Sequence, residues 1–217
     1  MLGYQTKLCD VRIGGRSFSV RALLDRLQFS DPNGLAEAAG ISSASWSLFG
    51  QVWPSGLVLA QLMSGIDIKG LRILEIGCGL GVASLVLSSR AADISASDYH
   101  PLVKGFLAEN STRNNLPAIP YFELPWALDE PAFGRFDLLI ASDVLYERGH
   151  AELLAILLGR YAEPVCEFIL TDPGRGHSAR LTQLLQIQGF VLTALRCKFE
   201  AGDAMPYRGQ LLRYRRH

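Results

Sequence analysis

The sequence predicts an α/β fold with a seven-stranded, mostly parallel sheet, an antiparallel last strand and helices on both faces. Two observations carry this prediction. From Trp53 onward, short apolar runs of strand length alternate with longer runs of helical length, which is typical of parallel strands joined by right-handed crossovers. The last two predicted strands are joined by only Ala201 to Tyr207, which is too short for a crossover helix, so this pair is expected to be antiparallel.

Residues 1–50 are expected to form a small N-terminal cap rather than an independent domain, because so short a segment cannot bury a core of its own. Residues 51–217 are expected to form the α/β domain. Within the cap, the sequence predicts a hairpin at residues 11–20 that turns at Gly14-Gly15. It also predicts a short helix at 21–28 and a brief helical turn at 35–39.

Each element of the α/β domain follows from its residue pattern. Pro54 fits the first turn of a helix that runs through about Met63, since proline lacks only an N–H that would be unpaired there. Short apolar runs predict strands at 71–76, 93–97, 119–123, 136–141, 166–171, 190–199 and 208–215. Longer runs at helical spacing predict helices at about 82–90, 101–113, 150–161 and 177–187.

The composition indicates a globular chain with no strong charge. It is 49% hydrophobic and 19% charged, unlike a disordered chain, and its 21 basic and 21 acidic residues give a formal net charge of zero. Attraction to nucleic acid or to an anionic membrane is therefore not favoured. Arginines cluster near the end, and their alternation with apolar residues favours a final strand with a charged end over an RNA-binding tail; they are Arg208, Arg213, Arg215 and Arg216.

The cysteines indicate a reduced protein without a metal site. Cys9, Cys78, Cys166 and Cys197 are widely scattered, and no histidine lies near them at metal-ligand spacing. No charged-then-apolar leader opens the chain, and no apolar run reaches the ~18 residues that a membrane span needs. We therefore expect no metal, no membrane partner and a cytoplasmic location.

A glycine-rich turn after the predicted strand 71–76 indicates a ligand site. Glycines at 77, 79 and 81 remove Cβ atoms where the chain turns sharply, and the helix that follows offers unpaired N–H groups. Asp98 directly follows the next predicted strand and suits the hydroxyls of a ribose. A dinucleotide fingerprint would need its third glycine at the position of Val82, so the sequence predicts a Rossmann-like site for an adenosine-containing ligand other than a dinucleotide.

With Glu75, this turn reads Glu-x-Gly-x-Gly-x-Gly and resembles motif I of the class I S-adenosylmethionine-dependent methyltransferases. Asp98 lies 21 residues after Gly77, where that family has its ribose-binding acid. The resemblance implies S-adenosyl-L-methionine as cofactor and S-adenosyl-L-homocysteine as product. A glycine-rich turn of some other α/β protein, with Asp98 as a capping residue, is the alternative.

A second group of residues follows the strand at 136–141. Asp143 and Tyr146 stand at the carboxyl end of this central strand, where ligands of open α/β sheets bind. The alternative is structural, with Asp143 capping the next helix and Tyr146 packing beneath it. Asp-x-x-Tyr here resembles methyltransferase family 16, whose members are largely protein lysine methyltransferases, and so does the segment 51–56 that contains Trp53.

This resemblance implies catalytic roles for Asp143 and Tyr146. It also implies that nine residues contact the cofactor: Trp53, Glu75, Gly77, Cys78, Gly79, Gly81, Asp98, Trp126 and Ser142. For the two tryptophans, packing in the core is the alternative. Pro125 departs from the family, which usually has an acid before this Trp. His177 follows the strand at 166–171, where it would either line the acceptor site or begin a helix.

The predicted function is methyl transfer from S-adenosylmethionine to a lysine side chain of a protein partner. The first alternative is a small-molecule N- or O-methyltransferase, with Trp46, Phe49 and Tyr207 closing a small apolar pocket. The second is a non-catalytic adenosine-binding or partner-binding module. The chain has no Asn/Asp-Pro-Pro-Tyr motif after the strand at 136–141, which argues against methylation of the exocyclic amines of DNA bases.

Overall fold

The computed structural model describes residues 4–28, 30–126, 133–196 and 207–217. The strands are β1 (Thr6–Ile13), β2 (Arg16–Leu23), β3 (Arg72–Ile76), β4 (Asp93–Asp98), β5 (Tyr121–Glu123), β6 (Phe136–Ser142), β7 (Ala162–Asp172), β8 (Val191–Arg196) and β9 (Gln210–Arg216). The helices are α1 (Leu35–Ala38), α2 (Pro54–Met63), α3 (Val82–Ser89), α4 (Val103–Arg113), α5 (His150–Tyr161) and α6 (Ser178–Ile187). Two short 3-10 turns cover Ser43–Ser45 and Leu48–Gly50.

Strands β3 to β9 form one seven-stranded sheet in the order β5-β4-β3-β6-β7-β9-β8. The pairs among β3 to β7 are parallel, whereas β9 runs antiparallel to both β7 and β8. This confirms the predicted fold class. The chain proceeds outward from β3 in one direction to β5 and in the other from β6 to β8, so the strand order reverses between β3 and β6. A crevice opens at the carboxyl ends of strands at such a reversal.

Helices cover both faces of the sheet because the central strands are apolar on both sides. Adjacent residues of β3 point in opposite directions, and Ile73 packs with α2, α3 and α4 while Leu74 packs with α5 and α6. Both side chains are fully buried. Continuous apolar strands such as β3 and β6 are therefore explained by two-sided burial, as is usual for parallel sheets.

The N-terminal hairpin β1–β2 packs on the helical face formed by α2 and α4. Asn110 of α4 accepts a hydrogen bond from the backbone N–H of Arg21 at 2.8 Å, and Asn114 accepts one from that of Ser19 at 2.9 Å. Phe18 and Val20 belong to the same apolar cluster as α2 and α3. The division of the chain at residue 50 stays a prediction.

One predicted element of the cap is wrong. Residues 21–28 do not form a helix, because β2 continues through Leu23 and pairs with Thr6 at its end. The alternating burial of Phe18, Val20 and Ala22 explains this, since a strand buries every second residue. The hairpin turn at Gly14-Gly15 and the helical turn, α1, are confirmed.

The other predicted elements are confirmed, with shifted ends. The strand predicted at 166–171 begins earlier, at Ala162, because the chain passes from α5 into β7 without a loop. The strand predicted at 190–199 is described from Val191 to Arg196. Residues 197–199, including Cys197, lie outside the described part of the chain.

Candidate active site

A cavity of about 460 Å³ lies at the carboxyl ends of β3, β4 and β6, at the reversal of strand order. Its volume suits a cofactor-sized ligand. One wall consists of the glycine turn and the ends of these strands, and the facing wall comes from the N-terminal segment through Ile41, Leu48 and Phe49.

The structure brings the proposed catalytic residues and the proposed cofactor contacts to this one cavity. The lining includes both proposed catalytic residues, Asp143 and Tyr146, and all nine proposed cofactor contacts: Trp53, Glu75, Gly77, Cys78, Gly79, Gly81, Asp98, Trp126 and Ser142. The lining also includes residues that the sequence did not single out, among them Arg26, Gln51, Tyr99, His150 and Arg175. Tyr99 and Arg175 follow β4 and β7, so the rule that ligands bind beyond strand ends was the signal for both.

The glycine turn requires glycine for two reasons. Gly77 and Gly79 have φ of 65° and 51°, a left-handed conformation that is costly for other residues. A Cβ on Gly79 would also lie 2.8 Å from the carbonyl oxygen of Phe49, and one on Gly77 would lie 2.8 Å from Cγ1 of Val144. The turn is thus fitted closely between the cap and the loop after β6.

Asp98 is buried and oriented by the backbone. Its Oδ2 accepts a hydrogen bond from the N–H of Gly79, and its Oδ1 accepts one from the N–H of His100, both at 3.0 Å. Burial raises the pKa of Asp98, and these backbone hydrogen bonds partly oppose that rise. A carboxylate has about four acceptor positions, so capacity remains for a ligand hydroxyl.

Glu75 connects β3 to the helix after the glycine turn. It is 3% exposed, and its Oε2 accepts hydrogen bonds from the backbone N–H of Ser84, at 2.9 Å, and from the Ser84 hydroxyl. Burial raises the pKa of Glu75 to about 7. This oxygen is occupied within the protein, so the geometry supports a role in holding the turn in place.

Asp143 adopts a left-handed conformation with φ of 55° at the end of β6. Its backbone N–H donates to the carbonyl of Thr171 at 2.9 Å, which fixes it to the end of β7. Its carboxylate receives two hydrogen bonds from Arg175, from Nε to Oδ1 at 2.5 Å and from Nη2 to Oδ2 at 2.9 Å. The next helix, α5, begins at His150 with Gly149 as its N-cap, so Asp143 does not cap it.

Tyr146 belongs to a row of aromatic side chains along the cavity. Its ring lies edge-on to that of His150 with centroids 4.7 Å apart, and His150 lies edge-on to Trp126 at 5.3 Å. The ring of His150 is oriented by a 2.8 Å contact between its Nδ1 and the carbonyl of Val144. Burial raises the pKa of Tyr146, and its hydroxyl interacts with that of Tyr99. Both phenols therefore stay neutral at physiological pH.

The N-terminal wall is held by aromatic contacts to the loop after β4. Phe49 stacks on His100 with ring centroids 4.0 Å apart. Burial lowers the pKa of His100 to about 4, so this imidazole is neutral at pH 7. Trp53 is oriented by a 2.8 Å hydrogen bond from its Nε1 to the carbonyl of Leu48.

Three other candidates lie outside this lining. Trp46 donates its Nε1 hydrogen bond to the carbonyl of Ile41, and Tyr207 is buried next to Gly209. His177 is the N-cap residue of α6. Of the aromatic residues predicted to close a small apolar pocket, only Phe49 lines the cavity.

Within residues 4–28, 30–126, 133–196 and 207–217, no three His, Cys, Asp or Glu side chains are grouped so that they would hold a metal ion. The helices of this part of the chain are all too short or too polar to cross a bilayer. The cysteines described here, Cys9, Cys78 and Cys166, are free thiols. Burial raises the pKa of the Cys78 thiol well above its ordinary value.

Comparison with known proteins gives consistent results. A family model described as lysine methyltransferase matches residues 41–185. The chain is 30% identical to protein N-lysine methyltransferase METTL21A of Danio rerio over 114 residues, which are 48% of this chain and 52% of that protein. It is 28% identical to the electron transfer flavoprotein beta subunit lysine methyltransferase of Mus musculus over 159 residues, which are 70% of this chain and 60% of that protein. The chain thus spans between half and three fifths of the length of these relatives.

Among solved structures, the 16S rRNA methyltransferase RsmC of T. Thermophilus, in complex with AdoMet and guanosine, superposes on the chain with a TM-score of 0.67. The match covers 100% of this chain and 52% of RsmC at 18% sequence identity, a level of similarity that shows a shared fold.

Proposed function

Because the chain belongs to the lysine methyltransferase family, we propose that it transfers a methyl group from S-adenosylmethionine to a lysine side chain of a protein. One observation carries this proposal: the glycine turn, Asp98 and Asp143 all line the same cavity. The first two would hold the cofactor, and the third would receive the acceptor. The lysine methyltransferases among its relatives support the choice of acceptor.

The residues present fit S-adenosylmethionine. The glycine turn lines the cavity, and a Cβ at Gly77 or Gly79 would collide with Val144 or Phe49 and displace the turn. The carboxylate of Asp98 is buried at the cavity and has acceptor capacity left for a ribose hydroxyl. Gln51 also lines the cavity, and within the described chain its buried Nε2 has no hydrogen-bond partner. A carboxylate or carbonyl of the ligand would satisfy this donor.

When bound, the cofactor supplies an electrophilic methyl group on a sulfonium, which is a good leaving group. The protein therefore needs to position the acceptor and exclude water rather than to activate the donor. We propose that Asp143 accepts a hydrogen bond from the acceptor amine, which orients its lone pair. Tyr146 and Tyr99, whose phenols stay neutral, form the wall along which the side chain of the acceptor lies.

A lysine acceptor must lose a proton before it reacts. With an ordinary pKa of about 10.4, only about 0.1% of the amine is neutral near pH 7.4, which corresponds to about 4 kcal/mol. Removal of water lowers the pKa of an amine, and the largely apolar wall of Tyr146, Trp126 and Phe49 provides such an environment. No metal is needed in this scheme.

The alternative is a small-molecule N- or O-methyltransferase, for which Trp46, Phe49 and Tyr207 were expected to close a small apolar pocket. Two of these three lie outside the cavity lining, which supports the choice of a protein acceptor. We also propose a cytoplasmic location, since Cys9, Cys78 and Cys166 are unpaired, as thiols are in a reducing compartment.

A cell lysate incubated with the protein and methyl-labelled S-adenosylmethionine tests the proposal. We expect label in protein, on lysine after hydrolysis, with the Asp98→Ala variant giving none above background. Label confined to the small-molecule fraction would overturn the lysine assignment. Absence of both labelling and S-adenosylhomocysteine binding in calorimetry would overturn the proposed function as a whole.

A further inference from the structure

The ion pair between Asp143 and Arg175 places a cation of the protein at the carboxylate that is proposed to receive the acceptor amine. The guanidinium meets the carboxylate side-on through two hydrogen bonds, and both residues line the cavity. The side chain of Asp143 is only 9% exposed, whereas that of Arg175 is 42% exposed. The guanidinium thus approaches from the solvent side, the direction from which a protein-borne lysine must also come.

Arg175 is attached in a way that permits its release. All the hydrogen bonds that the structure gives to its side chain, within the described chain, go to Asp143. Its two neighbours, Gly174 and Gly176, both have φ of 92°, and a Cβ added to either would meet open space. The loop between β7 and α6 is therefore not packed against the protein at these positions.

A second carboxylate lies close enough to influence Arg175. Asp172, at the end of β7, is 1% exposed, and its two carboxyl oxygens have no hydrogen-bond partner within the described chain. The hydrogen bonds to Asp143 raise the pKa of Arg175, and the negative charge of Asp172 acts in the same direction. A second carboxyl group therefore stays near Arg175 when Arg175 leaves Asp143.

We propose that Arg175 occupies the acceptor position as an exchangeable placeholder, and that an incoming lysine ammonium displaces it from Asp143. The exchange replaces one cation by another, so the charge next to Asp143 is unchanged. A neutral hydroxyl or phenol cannot replace the positive charge that Arg175 places next to Asp143. The inference rests on the proposed function and deepens it, because it restricts acceptors to groups that arrive as cations.

The exchange can be observed without catalysis by ¹⁵N NMR of arginine Nε–H groups in the full chain. The signal of Arg175, assigned by its loss in Arg175→Lys, is titrated with n-butylammonium as a probe of the lysine side chain. We expect a saturable shift towards the position found in Asp143→Asn. Arg180 is the internal control, because its Nε donates to Glu152 at 2.8 Å in an exposed ion pair. Its signal should show no saturable shift. Tetramethylammonium, which has no N–H, should leave Arg175 in place at equal ionic strength.

A kinetic measurement separates a placeholder from a residue that merely supports Asp143. With labelled cofactor and lysate protein as acceptor, Arg175→Gln should lower the apparent KM for acceptor severalfold and leave kcat within about twofold. A fall in kcat/KM, or an Arg175 signal that n-butylammonium leaves unmoved, would overturn the inference. Failure of the proposed function is recognised separately, by wild-type protein that neither binds S-adenosylhomocysteine nor labels protein.

Discussion

Asp98 and Asp143 both line the cavity, but the groups that hold their carboxylates differ. Asp98 is held by two backbone N–H groups that cannot leave it, so its position is fixed by the fold. Asp143 is held by an arginine side chain on an exposed loop, so its partner is replaceable. The first arrangement suits a contact that is the same in every catalytic cycle, and the second suits one that changes as acceptors arrive and leave.

Asp143→Asn is expected to reduce turnover by at least about tenfold while S-adenosylhomocysteine binds within about threefold of wild type. The amide keeps the shape of the side chain but loses the charge that is proposed to hold a cationic acceptor. Single-turnover labelling and calorimetry measure the two quantities. Turnover close to that of wild type would assign Asp143 a structural role, as the anchor of the loop between β7 and α6.

Glu75→Gln is expected to change how the free energy of unfolding depends on pH. The pKa of Glu75 is raised to about 7 in the folded protein, against its ordinary value of 4.5 in the unfolded chain. The wild-type chain should therefore lose stability relative to the variant as pH rises from about 4.5 through about 7, by on the order of a few kcal/mol. The amide oxygen of the variant can still accept from Ser84.

Urea unfolding of both proteins at pH 5 and pH 8 measures this difference. Parallel pH profiles for wild type and Glu75→Gln would show that the carboxyl of Glu75 is ionised in the same range in the folded and unfolded chains.

Helix α4 links the N-terminal hairpin to the glycine turn. Asn110 is fully buried; its Oδ1 accepts from the N–H of Arg21 in β2, and its Nδ2 donates to the carbonyl of Leu80 in the turn at 3.2 Å. One side chain therefore joins the cap to the loop that is proposed to hold the cofactor. Movement of the hairpin would be transmitted to the cavity through this residue.

Asn110→Ala is expected to destabilise the protein by about 2–3 kcal/mol, because it leaves buried backbone groups of Arg21 and Leu80 without their partner. Thr112→Ala, at an exposed position of the same helix, is the control and should change stability by less than about 0.5 kcal/mol. Equal effects in urea unfolding would mean that the link contributes little.

Gly79→Ala is expected to weaken S-adenosylhomocysteine binding by at least about tenfold, a change of about 1.4 kcal/mol. The added Cβ would be 2.8 Å from the carbonyl of Phe49, so the turn or the cap must shift at the cavity. Gly70→Ala is a matched control, because Gly70 also has a positive φ, of 73°, but faces open space. Calorimetry should show unchanged affinity for the control, and equal weakening in both would attribute the effect to backbone strain alone.

The succession of helices and strands along the chain could be predicted from the sequence, because the spacing of apolar residues and the length of each connection determine it. The glycine turn with Asp98 was predictable for the same reason, since each motif residue stands directly beside a strand end. The pairing of Asp143 with Arg175 was not, because it joins residues 32 apart whose meeting depends on the path of an irregular loop. The continuation of β2 to Leu23 was missed because its burial depends on packing against α4.

The cavity is lined by two parts of the chain that are distant in sequence. The cap contributes Ile41, Leu48 and Phe49, while the strand ends contribute Asp98 and Asp143. A ligand that contacts the cap and the strand ends should therefore stabilise the folded arrangement that holds them together.

S-adenosylhomocysteine at about 100 times its Kd is expected to raise the free energy of unfolding by about 2.7 kcal/mol, since a ligand that binds only the folded state stabilises it by RT ln(1 + [L]/Kd). The shift of the urea midpoint measures this, and dialysis should reverse it. NAD at the same concentration is the control, because Val82 stands where a dinucleotide site needs glycine. Equal shifts with both ligands would contradict the assignment of the glycine turn.

The position of β9 between β7 and β8 affects how the sheet is completed during synthesis. Glu167 and Arg213, which form an ion pair across β7 and β9, are 46 residues apart in the chain. At roughly 5–20 residues per second, β7 waits between about 2 and 9 seconds on the ribosome before its partner strand is made. During this interval β7 has an open edge, the kind of surface that recruits strands from other chains. Expression yield should therefore respond to chaperones that cover nascent strands, even where the finished fold is stable.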